Sequence, residues 1–142
     1  MDVIESERVI AEARRWIGTP YRHQASCCGA GSDCLGLVRG IYRALYGREP
    51  DDMPPYARYA RHGDPEILAD AAPQYLVAMD EPAPGHVLLF RLRRGMPARH
   101  LAVMSAPDRM IHAATGLHVC EVHITDWWRA RLVGRFAFPA MS

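Results

Sequence analysis

Residues 31–47, with the sequence GSDCLGLVRGIYRALYG, carry the clearest structural signals in this chain. Apolar residues recur through this stretch at three- and four-residue spacing, which is typical of the buried face of an amphipathic helix. Asp33 precedes the run, where a carboxylate can accept a hydrogen bond from a free helical N–H. Gly47 follows it, where helices commonly end. The stretch therefore predicts a helix that begins at Cys34 and is capped at both ends.

The chain on either side of this helix predicts two further helices. Apolar spacing predicts a helix over 9–17, which Gly18 stops. The stretch 19–32 is expected to be irregular. Residues 50–97 contain eight of the eleven prolines. Apart from one short helix over 65–77, with proline at its first turn, and a β-like run at Val87–Phe90, they are expected to be loop.

The C-terminal part of the chain has a different pattern. Short β-like runs of apolar residues are separated there by Gly, Pro or Asp. The runs are Val87–Phe90, Leu101–Met104, Met110–His112, Leu117–Ile124 and Leu132–Phe138. Helices followed by strands are typical of an α+β domain with an antiparallel sheet. A length of 142 residues predicts one domain, over 1–142.

Composition and charge argue against several classes of protein. With 49% hydrophobic residues the chain is expected to be globular. A net charge of +1, from 17 basic and 16 acidic residues, removes the simplest argument for nucleic-acid binding. No apolar run of about 18 residues occurs, so no membrane span is expected. The acidic N-terminus does not resemble a secretory signal, so we expect synthesis in the cytoplasm, with reduced cysteines.

Cys34 is the candidate nucleophile. It stands at the predicted helix start after a Gly-containing loop, where N–H groups and the helix dipole are expected to lower the thiol pKa from about 8.5. A thiolate is what a cysteine nucleophile needs. The alternative is a small buried apolar residue, a frequent role of a lone cysteine. Cys27 and Cys28 are adjacent and lack the paired spacing of a zinc site, so no metal is expected.

Two histidines are candidate partners of this cysteine. His100 and His112 are 12 residues apart, as two adjacent antiparallel strands joined by a short turn would place them. Their rings could then meet on one face of the sheet, one facing Cys34 and the other fixing its tautomer. From spacing alone, two unrelated surface histidines are the favoured interpretation.

Five short motifs occur in order along the chain. They are Gly18-Thr19-Pro20-Tyr21-Arg22, Ser32-Asp33-Cys34-Leu35-Gly36-Leu37-Val38, Pro84-Gly85, His100-Leu101-Ala102-Val103 and Met110-Ile111-His112-Ala113. Together they resemble the NlpC-type cell-wall cysteine peptidases, which are papain-like, from about Ala13 to Pro139. The Asp-Cys-Leu-Gly variant and the single domain are most similar to the phage-tail and gene-transfer-particle subgroup.

This resemblance implies a papain-like fold, with N-terminal helices packed on a small antiparallel sheet. It also implies a peptidoglycan endopeptidase that cleaves stem peptides, commonly between γ-D-glutamate and a diamino acid. Cys34 matches the family nucleophile, His100 the general base and His112 the polar residue that orients the base. No cofactor is implied. The partners implied are the stem peptide and proteins of a phage or transfer-particle tail, with the protein acting on the cell wall as part of such a particle.

The resemblance further implies three substrate-binding residues. Tyr21 matches a tyrosine whose hydroxyl lies near the oxyanion and the substrate. Asp33 matches an acidic residue that binds the substrate's amino group, and Ser32 stands beside it in the same motif.

The chain departs from the family pattern at two positions. Leu35 follows the nucleophile where serine is usual, and His86 stands where the family often has aspartate. Neither departure falls on Cys34, His100 or His112, so both bear on the substrate preference. Two alternative functions also remain open: an amidase or acyltransferase that uses the same Cys-His site, and a structural tail component with a vestigial site.

Overall fold

The computed structural model describes residues 2–50 and 60–140. The helices are α1 (Ser6–Arg14), α2 (Cys34–Tyr46), α3 (Ile67–Tyr75) and α4 (Asp126–Arg129). The strands are β1 (Ser26–Cys27), β2 (Gly31–Ser32), β3 (Val77–Ala78), β4 (Val87–Phe90), β5 (His100–Ala106), β6 (Arg109–His112), β7 (Cys120–His123) and β8 (Leu132–Ala137). This mixture of helices and antiparallel strands confirms the predicted α+β class.

The main sheet of the described chain has six strands in the order β3-β8-β4-β5-β6-β7. Every neighbouring pair is antiparallel. Side chains alternate between its faces, so Leu89, Val103 and Ile111 pack towards the helices in the larger apolar core. Phe90 and Met104 face the opposite way, into a smaller cluster. The sheet therefore has two covered faces, and α2 packs on the first of them.

The second helix has the predicted start and end. Asp33 is its N-cap and accepts a hydrogen bond from the Gly36 N–H, while Gly47 ends it with φ of 74°. A Cβ atom at Gly40 would overlap the indole ring of Trp16. Glycine at this position therefore lets the chain after α1 pack directly against α2.

Several predicted boundaries were wrong. The first α-helix ends at Arg14 instead of residue 17, and tighter turns continue from there to Gly18. Two-residue strands occur inside the stretch 19–32, which was expected to be irregular. The helix predicted over 65–77 is α3 and ends at Tyr75, and β3 begins at Val77. Strands of two residues have no sequence periodicity, because pairing with a distant partner defines them. The part of the loop prediction over 51–59 lies outside the described residues.

None of the helices in the described ranges is both long enough and apolar enough to span a membrane.

Candidate active site

The two candidate histidines lie on neighbouring strands at one end of the sheet. His100 is the first residue of β5 and His112 the last of β6, and the register pairs His112 with Ala102. Residues two apart on a strand share a face, so the two imidazoles point to the same side. His100 Nε2 lies 2.8 Å from His112 Nδ1, a hydrogen-bond distance. The contact that the spacing of 12 residues allowed is therefore present.

Cys34 begins α2 beside the first residues of β5. Its thiol donates a hydrogen bond to the carbonyl oxygen of Arg99, at 3.3 Å. Arg99 is the residue immediately before His100. The helix start and the strand start therefore bring the candidate nucleophile next to the backbone that carries the candidate base.

The expectation of a lowered thiol pKa was wrong. Burial, followed by the negative charge of Asp33, raises the pKa of Cys34 to about 12. Backbone hydrogen bonds at Leu101, Leu35 and Cys34 itself lower this pKa, but by less. Desolvation of the charged form outweighs the helix start, so the resting group is a neutral thiol.

The start of α2 nevertheless keeps hydrogen-bond donors near the sulfur. Asp33 accepts the N–H of Gly36 at 2.7 Å and, through its backbone carbonyl, that of Leu37. The first-turn N–H groups left near the sulfur are those of Cys34 and Leu35, both of which act on its pKa. Two such donors could stabilise an oxyanion that forms beside Cys34.

The two histidines are also uncharged at neutral pH. Burial, together with the proximity of His112, lowers the pKa of His100 to about 3, and burial lowers the pKa of His112. When both rings are neutral, one proton lies between His100 Nε2 and His112 Nδ1, the two nitrogens that are 2.8 Å apart. When His100 Nε2 donates this proton, Nδ1 of the same ring keeps its lone pair and can act as a base.

An aromatic side chain covers the pair. Trp128 stacks on His100 with ring centroids 5.1 Å apart and an interplanar angle of 25°, and meets His112 edge-on at 5.5 Å. It also contacts Phe90 at 5.0 Å. Neither Trp127 nor Trp128 was predicted to lie at this site, so the contact was missed. The available signal was their position directly after the strand that pairs with that of His112.

Asp33 has an observed structural role. One carboxylate oxygen accepts the N–H of Gly36 and the other accepts that of Gln24, each at 2.7 Å. The residue is 2% exposed. Gln24 has a φ of 62°, which is uncommon for a residue with a side chain. Asp33 therefore ties the preceding loop to the helix, and binding of a substrate amino group by Asp33 stays a prediction.

Tyr21 and Ser32 are neighbours in this structure. They form an isolated parallel bridge, and Tyr21 packs partly buried against the apolar core that Cys34 also contacts. Ser32 is fully buried, and its hydroxyl donates to the Asp33 carbonyl oxygen at 2.8 Å. Substrate binding by both residues stays a prediction, and Ser32 would first have to leave this internal bond.

The two positions that depart from the family pattern are both accounted for by packing. Leu35 is 7% exposed and belongs to the apolar core. His86 is 8% exposed and accepts the Ala83 N–H at Nδ1, at 3.0 Å. Burial lowers the pKa of His86, which fits a neutral ring that stabilises a turn.

The remaining cysteines lie outside this arrangement. Cys27 and Cys28 are exposed, and Cys28 donates to the Arg15 carbonyl oxygen at 3.2 Å. Cys120 is partly buried and pairs with His112 across β6 and β7. Within residues 2–50 and 60–140, no group of three His, Cys, Asp or Glu side chains is arranged to hold a metal ion.

Comparison with known proteins gives consistent matches. The sequence model described as the NlpC/P60 family matches residues 18–136. A γ-DL-glutamyl hydrolase from Bacillus subtilis (strain 168) is 24% identical over 135 residues, which are 94% of this chain and 30% of that protein. The chain thus spans less than a third of this curated relative.

Solved structures share the fold. The NlpC/p60 domain of the peptidoglycan hydrolase SagA superimposes with a TM-score of 0.66 at 21% identity, over 95% of this chain and all of that one. An NlpC/P60 family protein from Bacillus cereus gives 0.67 at 21% identity, over 97% of this chain and 41% of that one. NlpC2 from Trichomonas vaginalis gives 0.69 at 16% identity, over 96% and 47%.

Proposed function

The chain belongs to the NlpC/P60 family, a family of cysteine peptidases and hydrolases, and we propose that it is an endopeptidase that hydrolyses amide bonds in peptidoglycan stem peptides. One observation carries the proposal. The thiol of Cys34 donates a hydrogen bond to the carbonyl oxygen of Arg99, the residue just before His100. His100 is hydrogen-bonded to His112, with 2.8 Å between the two nitrogens. These contacts support an assignment of Cys34 as nucleophile, His100 as base and His112 as orienting group, the three roles that acyl transfer requires.

The first chemical step starts from two neutral groups. The Cys34 thiol leaves the Arg99 carbonyl and gives its proton to Nδ1 of His100 as the sulfur attacks the amide carbon. The carbonyl π electrons move to oxygen, and the resulting oxyanion is stabilised by the N–H groups at the start of α2, with the Tyr21 hydroxyl as a further donor. Each such donor contributes roughly 3–4 kcal/mol in comparable sites.

The second step releases the amine. The imidazolium of His100 donates its proton to the leaving nitrogen as the C–N bond breaks, and a thioester on Cys34 remains. His112 accepts the Nε2–H throughout and stabilises the positive ring. Water, deprotonated by His100, then hydrolyses the thioester and restores the thiol.

The bond we propose is the amide between γ-D-glutamate and a diamino acid. Two points support this choice: the motif resemblance and the name of the curated relative, a γ-DL-glutamyl hydrolase. An isopeptide bond of this kind leaves a free carboxylate beside the scissile amide.

The test is digestion of purified muropeptides from several bacteria, with the products read by mass. We expect new amino termini from the unmodified protein and none from Cys34→Ala. Cys27→Ala is the matched control because Cys27 is an exposed cysteine outside the site. Unchanged cleavage by Cys34→Ala would remove Cys34 as the nucleophile.

The same products separate the alternative activities. Transfer of the acyl group to an added amine, with no free acid formed, would identify an acyltransferase. A complete lack of cleavage with every muropeptide would favour a structural protein with a vestigial site.

We also propose that the protein is carried by a phage or transfer-particle tail and contacts other tail proteins there. The Asp-Cys-Leu-Gly sequence at 33–36 supports this, through its similarity to that subgroup. Mass spectrometry of purified particles is the test. Detection only in the ordinary secreted fraction of intact cells would contradict it.

A further inference from the structure

A groove lies beside the catalytic end of the sheet, where β4 ends and β8 begins. Its volume is about 390 Å³. It is lined by Arg91, Leu92, Arg94, Ala130, Arg131 and Val133. The Arg91 N–H donates to the Arg131 carbonyl oxygen at 2.9 Å, so a backbone hydrogen bond holds its two sides together.

The three arginines of this groove differ in their partners. Arg91 is paired with the carboxylate of Glu66 at 2.9 Å, so its charge is already balanced. Arg131 is held by neutral groups: it donates to the Trp127 carbonyl at 2.8 Å, and its guanidinium lies 3.8 Å from the centre of the Trp127 ring. Arg94 is exposed at the rim. The groove therefore has positive charge in excess, and one of its guanidinium groups is held in place.

The groove is also lined by exposed apolar surface. Leu92 is 42% exposed and Val133 43%, and Trp127, under the Arg131 guanidinium, is 50% exposed. Large apolar side chains next to a fixed guanidinium suit a ligand that carries both an aliphatic part and an oxyanion. A planar carboxylate matches the two-pronged donor geometry of arginine.

The position of the groove relates it to the catalytic histidine. Arg91 follows Phe90, and Phe90 pairs with His100 across β4 and β5. Trp127 contacts Trp128, which stacks on His100, with ring centroids 4.9 Å and 5.1 Å apart. Neighbouring strands are about 4.8 Å apart, so the backbone of Arg91 at one side of the groove lies roughly 5–10 Å from that of His100. An extended peptide covers that distance in about two or three residues.

We propose that this groove binds a free carboxylate of the peptide substrate at a distance from the bond that is cleaved. The inference rests on the proposed function, because the peptide must also reach Cys34. Binding energy from such a remote group holds the peptide in register at the reacting atoms. The site explains why Arg131 is braced by a neutral carbonyl and a ring, which leave its charge available.

The direct test measures binding without cleavage. A synthetic tetrapeptide with a γ-D-glutamyl-diaminopimelate bond is titrated into the Cys34→Ala protein, and the same peptide with its carboxylates amidated is titrated separately. Adding Arg94→Gln and Arg131→Gln to the Cys34→Ala protein should weaken binding of the free acid about tenfold. Binding of the amidated peptide should not change. Arg129→Gln is the matched control, because Arg129 is exposed at the end of α4, two residues before Arg131, and does not line the groove.

The activity of the otherwise unmodified enzyme gives the second measurement. The two groove substitutions should raise KM for the free acid about tenfold and leave kcat within twofold. Normal cleavage and binding by the groove variant would overturn the groove and leave the proposed function intact. Arginine-dependent binding of a peptide that the unmodified protein never cleaves would support the groove and contradict the proposed function. Tighter arginine-dependent binding of a single-stranded oligonucleotide of equal charge would overturn the carboxylate assignment.

Discussion

The resting thiol of Cys34 should react slowly with a small disulfide reagent. Because its pKa is raised to about 12, only about one part in 10⁵ is thiolate at pH 7. A free thiol with a pKa of about 8.5 is roughly 3% thiolate at that pH, a ratio of about 3,000. A more basic thiolate is intrinsically more nucleophilic. With a Brønsted slope of 0.4–0.5, this difference in pKa raises the rate constant of the thiolate itself by a factor of about 40. Cys34 should therefore react about 100-fold more slowly than an unstructured cysteine peptide.

The assay is a time course of modification at each cysteine, read by peptide mass mapping between pH 6 and pH 10. The rate at Cys34 should rise about tenfold per pH unit across this range. The exposed Cys27 serves as the internal reference for accessibility. His100→Ala should leave the rate at Cys34 nearly unchanged, because the imidazole does not hold the thiol proton at rest. A fast reaction at Cys34 that levels off below pH 7, and that slows in His100→Ala, would refute the neutral pair.

Three further predictions concern the residues around this pair. His112→Ala should lower kcat/KM about 10²–10⁴-fold with little change in KM, because in the proposed mechanism it removes the group that fixes the base. The control is Cys120→Ala on the paired strand, whose kcat/KM should stay within a few fold of that of the unmodified protein. Trp128→Ala should lower the free energy of unfolding by about 3–5 kcal/mol in urea denaturation and should also lower kcat. Trp128→Phe should recover most of the lost stability and most of the lost kcat. Trp127→Ala should change the free energy of unfolding by less than about 1 kcal/mol. Burial lowers the pKa of His86 in the folded protein, so the stability that the neutral ring contributes to the fold should be complete above pH 6.5 and lost as the pH falls below that value. His86→Asn should flatten this part of the plot of unfolding free energy against pH.

The elements predicted best from sequence are those with local signals. Asp33 and Gly47 mark the two ends of α2 by their own hydrogen bonding and backbone geometry, so the helix could be placed within a residue. The contact of His100 with His112 was also predictable, because a short turn between adjacent strands fixes which residues meet. In both cases the determining residues are close in sequence.

The features that were missed depend on distant parts of the chain. Trp128 reaches His100 only because the chain after β7 returns across the end of the sheet, and the Arg91–Arg131 groove exists only where β4 and β8 pair. The error in the thiol pKa has the same origin. The helix start at Cys34 can be recognised locally, whereas the burial that outweighs it comes from packing against the start of β5.

The neutral resting pair is compatible with efficient catalysis. Moving the proton from a thiol with a pKa of about 12 to an imidazole with a pKa of about 3 costs roughly 12 kcal/mol when the two groups are considered separately. A thiolate and an imidazolium brought to about 4 Å from each other would attract by about 4 kcal/mol at an effective dielectric constant of 20, which offsets part of this cost. The remaining cost of about 8 kcal/mol is half of the roughly 16 kcal/mol barrier of an enzyme that turns over about ten times per second. In the proposed mechanism the ion pair is therefore accessible as a transient species, and the burial that should slow the reaction of Cys34 with other reagents is compatible with attack on a substrate carbonyl at the start of α2.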